Sequence, residues 1–238
     1  MAVPGVLVDE PAAGVRRLRL NDPERRNALS PSLVEALHEA FLEAPQGVTI
    51  LGSADPRAFC AGADLGLGDG ERAALSDRLY QLYESMVTLP GPIVAVVEGA
   101  AVGGGAQLAV AADLRVGGPG ARVRFPGAGH GLAVGVWALP GLVGRGRALE
   151  LCLSERWVGA DEAQAIGLVD RLVEAPMEDA VELAAAIAGR DPDAVARIKR
   201  IANDATLRER LRQEREQNAT WGGSVAGLAG EREGYGGG

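Results

Sequence analysis

Cysteine and histidine are scarce in this chain of 238 residues. Cys60 and Cys152 are its two cysteines, and His38 and His130 are its two histidines. Their spacing matches no metal-ligand pattern, and two cysteines cannot form a disulfide framework. We therefore expect no metal site and a reduced, cytoplasmic setting, which argues against a zinc enzyme or a disulfide-rich secreted protein.

Long apolar runs and an excess of positive charge are also missing. The longest apolar runs, around residues 93–97 and 106–112, are far shorter than the ~20 residues that span a bilayer, and residues 1–10 lack the pattern of a signal peptide. Lysine and arginine total 24 against 32 aspartates and glutamates, a net charge of −8. We therefore expect neither a membrane protein nor a general nucleic-acid-binding protein, although a few local arginines could hold an anionic ligand.

Glycine, in contrast, is abundant and clustered. The chain has 34 glycines, with clusters at residues 62–70, 99–105 and 117–135. Glycine is used where the backbone needs a positive φ or comes close to another group. Because these clusters lie between stretches of regular hydrophobic spacing, they indicate a site built from loops.

Strand-like and helix-like segments alternate along most of the chain. The strand-like segments are residues 14–20, 47–51, 92–97, 114–116 and 169–173, and the helix-like segments are residues 31–42, 72–87, 106–112, 148–153, 160–166, 178–188, 192–204 and 207–217. This alternation favours an α/β fold with crossover connections. From residue 178 onward the pattern is helical only, which places one candidate boundary near residue 186, between a core of residues 1–185 and a C-terminal region of residues 186–238.

The strongest local feature is a run of three glycines at positions 103–105, between a strand-like and a helix-like segment. The first N–H groups of a helix are unpaired and carry partial positive charge, and glycine lets a ligand approach them closely. Such a place can hold a phosphate or the negative charge that develops on a carbonyl oxygen. The same three glycines are also compatible with a simple tight turn.

Two further segments change the interpretation of these glycines. Residues 21–29 read Asn-Asp-Pro-Glu-Arg-Arg-Asn-Ala-Leu, and residues 59–65 read Phe-Cys-Ala-Gly-Ala-Asp-Leu. In this order the three segments resemble the crotonase (enoyl-CoA hydratase/isomerase) superfamily, and residues 149–173 look like its downstream helix–turn–strand signature. The resemblance implies a crotonase-like (ββα)n spiral core, a C-terminal helical oligomerisation region with a Gly-rich tail, and a homotrimer or dimer of trimers.

The resemblance also implies a substrate and a site. In this family two backbone N–H groups bind the thioester oxygen of an acyl-CoA, and by motif these are the N–H groups of Ala63 and Gly104. The segments that bind the substrate and its CoA moiety correspond to Arg25, Arg26, Ala28, Ala61, Gly62, Asp64, Leu65 and Gly103. An arginine pair suits the CoA phosphates, although exposed arginines in a turn are often only solvated. Coenzyme A enters as part of the substrate, and no separate cofactor is implied.

The sequence departs from the family pattern at the two positions where hydratases carry catalytic glutamates. The first position is Gln107, and the second, matched through Phe125 and Pro126, is Gly127. A carboxamide is not a useful proton acceptor near neutral pH, and glycine has no side chain. His130 is a candidate replacement, although a lone histidine in a loop is more often structural.

Three functions therefore stay open. The first is an enzyme that stabilises an enolate-like oxyanion of an acyl-CoA: a hydratase, isomerase, or related lyase or decarboxylase. The second is a thioester hydrolase in which His130 or a bound water attacks the carbonyl. The third is a catalytically weak acyl-CoA-binding subunit.

Two other features of the sequence carry expectations about structure. Trp137 fits a pocket wall or the core equally well. Residues 207–217 are expected to form a solvated helix because their charges have mixed signs.

Overall fold

A computed structural model describes residues 5–224, which form two sheets and nine helices within that range. The strands are β1 (Val6–Ala12), β2 (Val15–Leu20), β3 (Val48–Ser53), β4 (Ala58–Cys60), β5 (Ile93–Val97), β6 (Ala100–Val102), β7 (Leu114–Gly117), β8 (Arg122–Arg124), β9 (Val158–Gly159) and β10 (Arg171–Leu172). The helices are α1 (Pro31–Glu43), α2 (Asp69–Thr88), α3 (Gly104–Val110), α4 (Leu139–Val143), α5 (Arg145–Ser154), α6 (Ala160–Ala165), α7 (Pro176–Ala188), α8 (Pro192–Ala202) and α9 (Ala205–Asn218).

The larger sheet has six strands in the order β1-β2-β3-β5-β7-β10. β1 runs antiparallel to β2, and every other neighbouring pair is parallel. All five residues of β5 are buried, as expected for a parallel strand that is covered on both faces. One of those faces is covered by α7, whose Ala180 and Ala184 pack against the valines and isoleucine of β3 and β5.

The smaller sheet has the order β4-β6-β8-β9. Each of its first three strands follows a strand of the larger sheet along the chain. The chain passes from β3 to β4 to α2, then from β5 to β6 to α3, and then from β7 to β8 and the following helices. This repetition of two strands and a helix is the spiral that the family resemblance implied. Because β4 and β6 pair in parallel, the loops that follow them emerge at the same edge of the small sheet.

The eight predicted helices and the five predicted strands are confirmed, with ends that shift by a few residues, whereas α4 was not predicted. At α1 the hydroxyl of Ser30 accepts the N–H of Leu33 at 3.2 Å and Pro31 is the first helical residue. Five strands were not predicted: β1, β4, β6, β8 and β9. The boundary proposed between residues 185 and 186 falls inside α7, so it does not separate two elements.

The C-terminal helices are attached to the core by buried polar groups. Lys199 of α8 donates to the carbonyl oxygens of Met86 and Gly91 and forms an ion pair with Asp113 at 2.8 Å. In α9, Glu214 is only 4% exposed. The expectation that residues 207–217 form a merely solvated helix is therefore wrong for the face that meets the core. The Gly-rich tail lies outside the described residues, and none of the helices within them is long and apolar enough to cross a membrane.

Candidate functional site

Two loops meet at the start of α3. Gly62, in the loop after β4, has φ +93°, a conformation that favours glycine. A Cβ atom on Gly62 would lie 2.7 Å from the carbonyl oxygen of Val102 and 3.5 Å from the amide nitrogen of Gly104. The absence of a side chain at Gly62 therefore lets the loop that carries Ala63 pack directly against the start of α3.

Both of the predicted oxyanion-binding amides lie at this junction. Leu29 donates to the carbonyl oxygen of Gly62 at 2.7 Å and accepts from the N–H of Asp64 at 3.1 Å. In this parallel pairing the N–H of Ala63, the central residue, points away from Leu29. Gly104 is the first residue of α3, where an N–H has no partner within the helix. Across residues 5–224, neither of these two N–H groups has a hydrogen-bond partner.

The surroundings of Gly104 are apolar except for one hydroxyl group. Its carbonyl oxygen accepts a 2.8 Å hydrogen bond from Tyr83, which stacks on Trp137 with ring centroids 6.2 Å apart. Burial raises the pKa of Tyr83, so this hydroxyl stays a neutral donor. A Cβ on Gly104 would lie 3.3 Å from side-chain atoms of Leu29, Leu79 and Tyr83. Tyr83 therefore fixes the first turn of α3, a role that no motif in the chain indicates.

Gln107 lies one turn beyond Gly104 and is nearly buried, with 5% of its surface exposed. Its side-chain oxygen accepts from the indole Nε1 of Trp137 at 2.9 Å and from the N–H of Gly135 at 3.2 Å. Because both partners can only donate, they determine which end of the carboxamide is oxygen. The open question about Trp137 is answered as well, since its ring lies fully in the core.

Gly127, the second expected glutamate position, has no room for a side chain. A Cβ there would lie 2.5 Å from Val134 Cγ2 and 2.9 Å from the carbonyl oxygen of Leu132. The Gly127 N–H instead donates to the Glu155 carboxylate at 2.9 Å, and the Gly129 N–H does the same at 2.8 Å. Burial by itself would raise the pKa of Glu155, but these two hydrogen bonds, together with electrostatic interactions with His130 and Arg124, lower that pKa below its usual value.

His130 ends the short 3-10 turn Ala128–His130. Its carbonyl oxygen accepts from the indole of Trp221 at 2.8 Å, and its ring Nδ1 is buried without a hydrogen-bond partner in the described part of the chain. A histidine that acts as a general base is normally oriented by a hydrogen bond on its other ring nitrogen. Within residues 5–224 no carboxylate or hydroxyl group supplies that hydrogen bond.

The arginines expected to meet the CoA moiety differ in their surroundings. Arg25 is paired with two carboxylates, those of Asp22 at 3.0 Å and Asp64 at 2.8 Å. Arg26 instead lines an open cavity of about 410 Å³ together with Arg57. Arg57 was not singled out from the sequence, although it stands two residues before the 59–65 segment. Glu24 lines this cavity as well, and Arg57 is itself paired with the Asp55 carboxylate at 2.9 Å. The cavity therefore offers two guanidinium groups to an anionic ligand, with carboxylates beside them.

The remaining members of the predicted set form the frame of this junction. The N–H of Ala28 donates to the carbonyl oxygen of Arg25, and the N–H of Ala61 donates to that of Arg26. Gly103 has φ +52°, and its N–H donates to the carbonyl oxygen of Arg124. Leu65 is about half exposed, at 54%. These residues shape the loops through their backbones and small size, except for Leu65, which presents an apolar side chain to solvent.

Comparisons with known proteins agree with this architecture. Residues 10–235 match the family model described as enoyl-CoA hydratase/isomerase. The chain belongs to this family of enzymes.

The relatives and solved structures support the same assignment. The probable enoyl-CoA hydratase echA6 of Mycobacterium leprae is 39% identical over 202 residues, covering 81% of each chain, and that of Mycobacterium tuberculosis is 41% identical over 198 residues, covering 81% of this chain and 80% of the relative. The crystal structure of enoyl-CoA hydratase from Bacillus anthracis has a TM-score of 0.80 and 30% identity over 90% of each chain. The predicted crotonase-type α/β fold is thereby confirmed.

Asn27 holds two of the family segments together, and sequence reasoning missed it. It is fully buried with φ +56°, and its Nδ2 donates to Ser53 Oγ at 2.7 Å and to the carbonyl oxygens of Ala58 and Phe59 at 3.1 Å. Its own carbonyl oxygen accepts from the thiol of Cys60 at 3.1 Å. Burial raises the pKa of Cys60 to about 12, so this thiol is not a thiolate nucleophile near neutral pH.

Glu214 is a second residue that sequence reasoning missed in this enoyl-CoA hydratase/isomerase family member. One carboxylate oxygen accepts from the Tyr80 hydroxyl at 2.9 Å and from the Gly135 N–H at 3.0 Å, and the other accepts from the Trp137 N–H at 2.8 Å. Burial raises the pKa of Glu214 to about 7, although these hydrogen bonds favour the charged form. α9 therefore brings a nearly buried carboxylate against the segment that fixes Gln107.

Proposed function

We propose that this enzyme acts on acyl-CoA thioesters and binds the thioester oxygen with the N–H groups of Ala63 and Gly104. The observation that carries the proposal is the meeting of two loops at Gly62, with two amides that have no partner in the described residues. Such donors stabilise the negative charge that develops on a carbonyl oxygen, and losing one typically costs ~10²–10³ in rate. The thioester would thereby be polarised toward an enolate.

The CoA moiety would extend toward the cavity lined by Arg26 and Arg57. Phosphate groups form strong charge-assisted hydrogen bonds with guanidinium groups, and a chain with a net charge of −8 needs such local cations to hold an anionic ligand. Arg57 is paired with the Asp55 carboxylate, and Arg25, which has two carboxylate partners, is the weaker candidate for direct contact with phosphate. Its role in this proposal is to hold Asp64 and the loop that carries Ala63.

The reaction would not be ordinary hydration of an enoyl-CoA. A positioned acid or base contributes typically ~10²–10⁴ to a rate, and positions 107 and 127 supply neither. We therefore propose an enolate-stabilising isomerase, lyase or decarboxylase, with crotonyl-CoA hydrated slowly or not at all. The second candidate is an acyl-CoA-binding subunit with weak catalysis, which is favoured by the lack of an orienting partner for His130 within residues 5–224. Thioester hydrolysis through His130 is less favoured for the same reason.

Incubation with a panel of CoA thioesters, read by mass spectrometry and paired with calorimetric binding, tests this function. Binding together with an isomerised or decarboxylated product supports the enzyme, whereas binding without turnover supports the subunit. Free CoA as the main product would favour the hydrolase. A protein that binds no acyl-CoA would contradict the proposal.

The homotrimer or dimer of trimers and the cytoplasmic location remain predictions. Sedimentation of the purified protein tests the predicted assembly.

A further inference from the structure

The carboxamide of Gln107 has one end that is held and one end that is not. Its oxygen accepts from both Trp137 and Gly135, as described above. Its Nε2 has no hydrogen-bond partner within residues 5–224, and this nitrogen is not fully buried. The amide nitrogen therefore keeps contact with accessible space and offers its two hydrogens to whatever occupies that space.

Gln107 lies one turn along α3 from Gly104, whose N–H is one of the two proposed oxyanion-binding amides. Positions 104 and 107 are separated by three residues in α3, so they share one face of the helix. The N–H of Gly104 is the proposed ligand of the thioester oxygen. An oxygen on the third carbon of an acyl chain is four bonds from the thioester oxygen and can lie up to ~5 Å from it, which is comparable to one helical turn. A substituent on that carbon is thus the part of the substrate that Nε2 can reach.

Glu214 explains why a neutral group stands at position 107. Its carboxylate oxygen accepts the same Gly135 N–H that donates to Gln107, so both acceptor oxygens lie within about 3 Å of one nitrogen. A glutamate at position 107 would place a second carboxylate beside one that is already buried, and such a pair does not ionise easily. The amide accepts from the same donors without adding charge.

We infer that Gln107 donates a hydrogen bond to an oxo oxygen on the third acyl carbon, so that the substrate class of this enzyme is the 3-oxoacyl-CoA thioesters. This inference rests on the proposed function, since it assumes that an acyl-CoA binds at Ala63 and Gly104. A ketone oxygen is an acceptor only and matches a side chain that presents a donor. A carboxylate on the same carbon matches less well, because the buried Glu214 carries the same charge nearby.

Calorimetric titration of the full-length protein with butyryl-, acetoacetyl- and malonyl-CoA tests the inference. We expect acetoacetyl-CoA to bind roughly three- to tenfold more tightly than butyryl-CoA, the range that one hydrogen bond provides, and malonyl-CoA to bind more weakly than acetoacetyl-CoA. Equal affinity for butyryl- and acetoacetyl-CoA, or a preference for malonyl-CoA, would overturn it. Failure of all three to bind would instead contradict the proposed function.

Two variants separate the role of Gln107 from a general preference for acetoacetyl-CoA. Gln107→Met keeps the side-chain length without the donor, and it should abolish the preference. Gln81→Met, at an exposed position of α2, is the matched control and should keep it. If Gln107→Met does not fold, Gln107→Glu combined with Glu214→Gln keeps a single carboxyl group at this place and should also abolish the preference. A preference that persists in a folded position-107 variant would contradict the inference.

Discussion

The two halves of the candidate site are built from different materials. The half that would hold the thioester oxygen consists of backbone N–H groups, which are placed by Gly62 and by the start of α3. The half that would transfer protons depends on side chains. It has a carboxamide at position 107 and no side chain at position 127. Backbone donors follow from the fold, whereas proton transfer needs particular side chains. A chain can therefore keep the binding and polarising half of a site while its proton chemistry differs.

The largest effect is expected from Gly62→Ala, which changes the loop that places the backbone N–H of Ala63. The new Cβ would meet a backbone oxygen at 2.7 Å in a residue with φ +93°, so the loop that carries Ala63 must move. We expect acyl-CoA turnover or affinity to fall by ~100-fold, comparable to the loss of one oxyanion donor. Gly70→Ala is the control, because a Cβ there meets nothing within 4 Å and φ is not positive. Unchanged affinity in Gly62→Ala would break the comparison.

The next effect concerns pH and Glu214. Its folded-state pKa of about 7 lies above the usual value near 4.5, so the folded protein binds the proton more tightly than the unfolded chain. Stability should therefore fall as pH rises from about 4.5 to about 7, by about 3 kcal/mol for this group. Urea unfolding at pH 5 and pH 8 measures this, and Glu214→Gln should remove the Glu214 contribution, while the raised pKa of Glu98 adds a slope of the same sign that stays in the variant.

Two observations isolate the contribution of Glu214 to that slope. Tyr80 and Cys152 also respond to Glu214, but burial raises the pKa of both well above this range, that of Cys152 to about 12. Glu216→Gln, at an exposed position on the same helix, should leave the slope as in the parent protein. If the free energy of unfolding falls with pH as steeply in Glu214→Gln as in the parent protein, the buried carboxylate is not the source of the slope.

A smaller effect is expected from Tyr83→Phe. The change removes the hydroxyl that donates to the Gly104 carbonyl oxygen at 2.8 Å and keeps the ring that stacks on Trp137. We expect a loss of about 1 kcal/mol in the free energy of unfolding, the typical net value of one hydrogen bond, and weaker acyl-CoA binding. Urea unfolding and calorimetry measure the two quantities. Parent-like values in both would mean that Tyr83 does not fix the first turn of α3.

The smallest effect is expected on the side-chain half. Gln107→Glu adds one carboxylate but leaves position 127 without a side chain, and it places like charges together beside Gly135. We therefore expect little or no gain in the hydration of crotonyl-CoA, followed by absorbance of the enoyl thioester. A gain of 100-fold or more would show that the two halves are less independent than the structure indicates.

The sequence predicted the long elements well, because regular hydrophobic spacing identified α1, α2 and β5. The family resemblance pointed to Ala63 and Gly104, and the fold brings the two loops that carry them together, while their role in binding an oxyanion stays a prediction. Strands β4, β6, β8 and β9 were missed because two or three residues are too short to show an alternating pattern.

The buried polar groups could not be predicted for a different reason. Glu214 lies in a helix rich in charge, and only the tertiary packing of α9 shows that it is buried. Asn27 looks like an ordinary turn residue until its partners at Ser53, Ala58 and Phe59 are known. Side-chain networks between distant segments leave no periodic signal in the chain, whereas short motifs do.

Vibrational difference spectroscopy of a bound thioester carbonyl detects hydrogen bonds from the Ala63 and Gly104 N–H groups without depending on turnover. An acyl-CoA labelled with ¹³C at its carbonyl would be compared free, bound to the parent protein and bound to Gly62→Ala. Two hydrogen bonds from Ala63 and Gly104 should polarise the carbonyl and lower its stretching frequency in the parent protein, and the shift should shrink in the variant. A carbonyl frequency that does not change when the thioester binds would contradict the account.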